Sequence, residues 1–597
     1  MDHLQGVVLS GNSPQRAVPG LGRVVPGLGR AVPGLLLVGL VVVVPAVVLT
    51  TYAFRDTTFL GVGPGPTLDQ FRKLVDQPTF WNLTPRTIGV GLIVGSVVTL
   101  LSFVMAYGIR FRFSRRAGRR IFAVVIAAGI ASFLVRIFAW GTVLNANGLV
   151  NQVLMKLGII DNPFEPLFYS PLAVVITMVY LYLPIGIAIM FGALQDIDQF
   201  SVEAGRDLGA GRWRIALQLV APQAVGAITT CLVLTTVLAS ADYVTPQLVG
   251  GTKGIMIGVA IRDRALSGAD LPGAAATTIA FLLALAVVLA VVALLIRVCR
   301  LLVRPLAPIA NRAATRAARH APRWMERVSL SRAATILLAF YLILPTVVVF
   351  VFSFNSARTL GLPWQGFTTR WYPDVVSRPG FGESLRTSLL VAIVASAAAT
   401  MVGGAMASAA TRTGPRTRRL IQAAALLPFV VPGILIGLGL MIAADASPMV
   451  PGYSMTVVAH VVLLLPVVMA VLLTRLMSLN PEFVPAARDL GARQTVAFRT
   501  ITFPLILPSV LAAFVLCFTI SMDEVFVTVF TIGSSTTLPI WILSQARVGF
   551  DPGLNALGVM LVTATVVLPL VIYGVARLGT RLLGHRGPAE SEGAELS

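Results

Sequence analysis

Lysine is nearly missing. The 597-residue chain holds three, Lys73, Lys156 and Lys253, preceded by Arg72, Met155 and Thr252. A phosphate-binding loop of the G-x-x-x-x-G-K-[ST] kind needs a Gly-Lys pair, so that backbone N–H groups cradle the phosphates while the ammonium reaches them. No such pair occurs, and the glycine-rich GGTKG (250–254) has the wrong order. ATP hydrolysis by that loop is therefore excluded on this chain. Cysteine is almost as rare: Cys231, Cys299 and Cys517 have no metal-ligand spacing, which argues against a disulfide framework or a zinc site. The four histidines, His3, His320, His460 and His585, show no shared pattern, and only His460 falls within an apolar run. Paired catalytic acids and nucleophile constellations are absent too, which removes support for a membrane-embedded enzyme. Charge is scarce, at 12% of residues against about a quarter in soluble domains.

Apolar residues are what the chain has in excess: 56% of the sequence, with a mean hydropathy of +0.86. Runs of about twenty apolar residues recur, the length that crosses a bilayer as a helix. Twelve are predicted, near 34–54, 88–109, 121–142, 169–192, 223–246, 275–297, 333–354, 387–409, 420–443, 454–475, 507–530 and 554–576. They are continuous rather than alternating, which excludes a β-barrel. The expected fold class is an all-α integral membrane protein.

The formal charge of +21 invites a nucleic-acid reading that its placement rejects. Basic residues crowd into RFRFSRRAGRR (110–120), TRTGPRTRRL (411–420) and the stretch Arg297 to Arg332, which are alternate connections. That is the positive-inside pattern of cytoplasmic loops. Arg16, Arg23 and Arg30 place the N-terminus inside, and Arg577, Arg581 and Arg586 the C-terminus. The expected organisation is a basic low-complexity tail over 1–33, a six-span domain over 34–298, a basic linker over 299–331, a second six-span domain over 332–577 and a tail over 578–597. The Gly, Pro and Arg residues ahead of the first run do not resemble a cleavable signal peptide.

The two domains repeat. Gly491 lies 282 residues after Gly209, and the same offset superposes Leu183-Pro184 on Leu465-Pro466, Pro222 on Pro504, Asp242 on Glu524 and Gly251 on Gly533. Earlier, Thr99 and Met105-Ala106 match Thr400 and Met406-Ala407 at an offset of 301. Half one is thus longer by nineteen residues, placed in the outside loop NANGLVNQVLMKLGIIDNPFEP. Each half begins inside, so this is a parallel repeat with a pathway expected where the halves meet.

One charged phrase is spelled twice: SVEAGRDLGA (201–210) and FVPAARDLGA (483–492). Ala, Arg and Leu favour helix, and a glycine just past the end stops it. A helix so short does not stand alone. Two matched copies between the fourth and fifth spans therefore read as docking pegs for something that receives them, within loops 201–222 and 483–504.

These loops resemble the "EAA" loop of binding-protein-dependent ABC importer permeases of type I. Glu203, Ala204, Gly205, Gly209, Leu219 and Pro222 match it once; Pro485, Ala486, Ala487, Gly491, Ile501 and Pro504 match it again. Asp207 and Asp489 stand at matching places between them. LVRIFAW (134–140) and ADYVTPQLVGG (241–251) resemble the first spermidine/putrescine permease subunit, and GFTTRWYPDV (366–375) and SMDEVFVTVFTIGSSTTLPI (521–540) the second, as if the two were fused. The resemblance implies a bacterial plasma-membrane permease that imports polyamines. It also implies two copies of a separate ATPase subunit, which would bind ATP and Mg²⁺ and receive the pegs, and an extracytoplasmic substrate-binding protein. No cofactor, metal or nucleic acid is implied on this chain. Two positions depart from the motif, Pro485 for the usual glutamate and Gly205 for alanine, so the pegs are expected to be unequal.

Carboxylates inside a bilayer cost about 2.5–3.5 kcal/mol on insertion scales and need a reason. Asp242, Asp523 and Glu524, late in the fifth spans, are candidate contacts for ammonium groups, with Tyr243 as an aromatic partner. Helix ends, or pairing with Arg136 or Arg262, explain the acids equally well. The alternatives are the same transporter class for ferric iron, thiamine or phosphonate, or a twelve-span proton-coupled secondary transporter. The latter class usually carries an acid in the loop after its second span, and 110–120 has none.

Overall fold

The computed structural model describes residues 28–319 and 330–564, apart from the short stretches 59–60, 212–213, 359–360, 449 and 549–550, together with positions 567 and 574. The start of the basic tail with Arg16 and Arg23, His3, His320, His585, the linker segment 320–329, most of the twelfth run beyond Ala564 and the tail 578–597 lie outside the described residues.

Lipid offers no hydrogen bonds, so an apolar chain satisfies its backbone internally as helix. Nine described helices are long and apolar enough to cross a membrane, and two bent pairs raise that to eleven. Pro552–Ala564 is the described part of the twelfth run. The only named strands among the described residues are the two-residue pair Thr57–Thr58 and Gly61–Val62.

Two of the runs read from the sequence as continuous spans are broken, and this corrects that reading. The run 121–142 divides into Arg115–Ile130 and Phe133–Leu144, and 420–443 into Pro415–Val430 and Gly433–Asp445, the latter pair bent by 89°. The break residues are extended: Ala131 and Ser132 have ψ of 144° and 134°, Val431 and Pro432 of 125° and 133°. In half two the cause is local, because a residue before proline is pushed out of the helical region. In half one Ser132 holds the same shape without a proline. The fifth span of half one is bent as well, by 74° between Ile215–Gln223 and Val225–Ala241, whereas Gln494–Met522 passes the corresponding place without a break.

The repeat survives in backbone detail. Gly251 and Gly533 both take the left-handed region, at φ +57° and +69°. The additional residues of half one lie in 145–170, which holds the short helix Leu149–Lys156 where half two has only 446–452. The sixth span begins at Leu271 and its helix continues to Arg319, so it runs through residue 298 without a break.

Each half lends its first span to the other. Val44–Ala53 packs against Gly433–Asp445 of half two, with Tyr52 donating to Asp445 Oδ2 at 3.2 Å. Leu330–Phe352 packs against Pro78–Phe111 and Phe133–Leu144 of half one, where Tyr341 donates to the Ile176 carbonyl and Tyr180 to that of Leu342. Hydrogen bonds also fix sidedness. Arg30, at the start of the first span, donates to Ser408 near the end of Phe381–Arg412, and Arg332, at the start of the seventh, to the Arg112 carbonyl beyond Pro78–Phe111. At the opposite end Gln70 and Lys73 bond Asp56, and Thr57 bonds Asp270.

Gly439 makes the exchange possible, since a Cβ there would lie 2.7 Å from that of Pro45. Gly439→Leu is expected to lower stability in detergent by about 1–3 kcal/mol, the usual cost of overpacking. Gly89→Ala, with no neighbour within 4 Å, should melt with the parent; equal melting temperatures for all three would refute the close approach.

Candidate functional site

The first peg is Gln199–Asp207, started by Asp198, whose side chain accepts the Phe200 N–H at 3.0 Å. Gly209 ends it at φ +75°, with its N–H on the Arg206 carbonyl and that of Ala210 on Gly205. The second peg, Phe483–Asp489, closes identically: Gly491 at φ +84° bonds Arg488, and Ala492 bonds Ala487. This stop satisfies carbonyls that a helix end leaves open, and it suits glycine because the left-handed turn crowds any Cβ. Between helix and glycine, Leu208 and Leu490 point outward at 88% and 90% exposure. Glu203, Ala204 and Asp207 are exposed on the first peg, as are Pro485, Ala486 and Asp489 on the second. Gly205 and Ala487 are half-buried, and a Cβ on Gly205 would meet Ile215 at an ordinary 3.7 Å. Pro485 sits in the first helical turn, where its missing N–H had no helical partner.

Both pegs lie at the end of the bundle marked by Arg30 and Arg332. Arg206 ties the first to the Phe111 carbonyl. Each peg leads into its fifth span through a π-helical segment, Ile215–Val220 and Phe498–Thr502. Pro222 and Pro504 follow these segments. A proline has no N–H and its ring presses on the carbonyl four residues back, and the wider π turn relieves both.

The fifth spans end at the acids. Ala241 closes one helix, and Asp242 then turns back on its own chain: Oδ1 accepts the N–H groups of Val244 and Thr245 at 2.9 Å, and Oδ2 the Thr245 hydroxyl at 2.5 Å and that of Tyr182 at 3.2 Å. It is 1% exposed. Glu524 does the same in half two, accepting the N–H groups of Val527 and Thr528. His460 stands beside it, its Nδ1 bonded with Ser521 Oγ, its Nε2 with Thr528 Oγ1, and Nε2 3.5 Å from the carboxylate.

Asp523 behaves differently, because it crosses to the other half. Its carboxylate accepts the Ser132 hydroxyl at 2.5 Å and the Phe133 N–H, capping Phe133–Leu144 at the break in the third span. Tyr243, fully buried, donates to the Val525 carbonyl at 3.2 Å, and its ring meets Phe526 edge-on at 5.6 Å. Neither alternative arginine pairing forms: Arg262 pairs with Asp263, and Arg136 donates to the Leu181 carbonyl. The seam is one-sided, since the residue 282 before Asp523 is Ala241, which has no carboxylate to return the bond.

The family described as binding-protein-dependent transport system inner membrane component matches residues 8–300 and 399–582. The chain belongs to that family. It is 32% identical over 242 residues to the spermidine/putrescine transport system permease protein PotC of Escherichia coli (strain K12), covering 40% of this chain and 91% of the relative. The putrescine transport system permease protein PotI of the same strain is 31% identical over 252 residues (40% and 89%). PotB of Salmonella typhimurium, also a spermidine/putrescine permease protein, is 28% identical over 249 residues (41% and 83%). A bacterial alginate ABC transporter aligns over 38% of this chain and 80% of its own at 17% identity, with a TM-score of 0.34.

This transport-system permease is an all-α, multi-pass membrane component of an ABC importer, built as two tandem family repeats. Its pegs were legible as motif, whereas Ser132, Phe133, Phe526 and His460 were not singled out as site residues. The one available signal was Ser132, a capping residue ahead of an apolar run; nothing in residue spacing joins 132 to 523 or 460 to 524. Asp523→Ala should cost about 0.5–2 kcal/mol of stability, as helix caps do, and Asp523→Asn less, because asparagine also caps. Thermal or denaturant unfolding in detergent measures both; identical curves for the parent and the two variants would rule out the cap.

Proposed function

We propose that the chain forms the translocation pathway of a polyamine importer from two domains and that both pegs, within loops 201–222 and 483–504, are its coupling helices. The carrying observation is the pair of leucine-tipped helices, matched at 282 residues and facing out of one end of the bundle. Two copies of a separate ATPase subunit, holding ATP and Mg²⁺, would receive them through Glu203, Ala204, Gly205, Asp207 and Gly209, and through Pro485, Ala486, Ala487, Asp489 and Gly491. That end is cytoplasmic, with both termini, in the bacterial plasma membrane; the domains are 34–298 and 332–577. An extracytoplasmic binding protein would deliver substrate at the opposite end.

The route of force is short. A peg is joined through its π segment and Pro222 or Pro504 to a fifth span, and each fifth span ends at the seam. Drawing the pegs together would shift Asp523 off Ser132 and Phe133, and part Tyr243 from Val525. The freed carboxylates of Asp523 and Glu524, with Asp242 and the Tyr243 ring nearby, suit ammonium groups bearing several charges. Relatives named for spermidine and putrescine support that substrate class over ferric iron, thiamine or phosphonate.

The test is uptake of radiolabelled putrescine into proteoliposomes holding the permease, its ATPase and its binding protein. Uptake should require ATP and all three components and be competed by spermidine. Leu208→Asp or Leu490→Asp should cut it about tenfold, equivalent to about 1.4 kcal/mol of docking energy. Uphill uptake by the permease alone would sink the mechanism, and competition by thiamine or ferric iron but not spermidine would sink the substrate.

A further inference from the structure

Behind the second peg lies a cavity of about 860 Å³, bounded by Phe381–Arg412, Tyr453–Met477, the peg and the π segment. Its deeper wall is apolar, with Leu472, Leu476, Leu505 and Val510, and its rim carries Arg30, Arg412 and Arg418. No aspartate or glutamate lines it. Among the described residues none of the three arginines forms an ion pair. Arg30 donates to Ser408 Oγ at 3.3 Å and Arg418 Nε to the Ala410 carbonyl at 3.0 Å, which leaves most of their N–H groups free for an acceptor. Thr400, 8% exposed, lines the cavity, and its hydroxyl has no partner.

Apart from Arg30, the lining comes from half two, and the matching helix of half one differs. At the 301-residue offset, Gly404, Ser408 and Arg412 stand where half one has Phe103, Tyr107 and Phe111. Those rings follow one another along their helix, centroids 6.2 and 5.2 Å apart, and pack against the core of half one. Three arginines without an acid repel a polyamine, so the cavity is no exit route for that cargo. An acyl chain fits the apolar wall, and a phosphodiester fits the arginine rim, since guanidinium binds phosphate through paired, charge-assisted hydrogen bonds. Basic pockets between helices at the cytoplasmic face are where anionic headgroups bind.

We propose that this cavity binds one anionic phospholipid of the inner leaflet, headgroup on Arg30, Arg412 and Arg418, tail along Leu472 and Leu505, bracing the second peg through Asn480 and Phe483. The leaflet rests on the sidedness proposed above.

Native mass spectrometry of the full-length chain, released from nanodiscs of phosphatidylglycerol or phosphatidylethanolamine with the same acyl chains, tests it. The parent should retain one more phosphatidylglycerol than phosphatidylethanolamine. The Arg412→Gln, Arg418→Gln double variant should lower that retention about tenfold. Gly404→Phe, restoring the aromatic of half one, should do the same with an unchanged melting temperature. Leu208→Asp should keep the lipid whatever its transport, which separates this assignment from the importer reading. Equal retention of the two lipids, or undiminished retention in a well-folded double variant, would overturn it. So would a chain ending at Gly587 that gains a bound lipid, because the acidic tail 588–597 would then be the occupant.

Discussion

A helix broken inside an apolar bundle leaves N–H groups that lipid cannot satisfy, and the seam of this permease is organised by how those groups are met. Asp242 satisfies the turn at Val244 and Thr245, Glu524 the turn at Val527 and Thr528, and Asp523 the break at Ser132 and Phe133. The matching break in half two falls at Pro432, which brings no N–H of its own. The N–H that Asp523 meets is that of Phe133, whose place in half two is taken by Gly433, and half one has Ala241 where half two has Asp523.

Those caps hold the inner ends of the levers whose outer ends are the pegs. Each fifth span runs from its π segment to an acid, through a break at Ala224 in half one and without one in half two. The levers differ: one is bent by 74° after Pro222, and the other runs on through Pro504. Pro485 and Gly205 were the reasons to expect unequal pegs; the bend, and the cavity behind the second peg, are differences of larger scale.

What could be read in the sequence was whatever composition or local spacing encodes. Twelve apolar runs, the 282-residue register, the nineteen added residues and the glycine-stopped pegs are of that kind, and Gly209 and Gly491 take the left-handed turn their motif requires. Broken spans escaped, because an average over twenty residues is blind to a single ψ at Ala131 or Val431. The buried acids were recognised as costly but not resolved into caps, since Asp523 meets residues some 390 positions away. The cavity was invisible for a related reason: Gly404 and Ser408 read as one more apolar stretch until set beside Phe103 and Tyr107.

The exchange of first spans bears on how the protein is made. Pro78–Phe111 and Phe133–Leu144 leave the ribosome long before Leu330–Phe352, the helix that covers them, has been translated. Half one must therefore wait in the bilayer with an uncovered flank for nearly two hundred residues of further synthesis. As separate polypeptides, the halves would have to find each other by lateral diffusion before either was finished. On one chain the missing stave arrives by elongation, in a ratio of one to one.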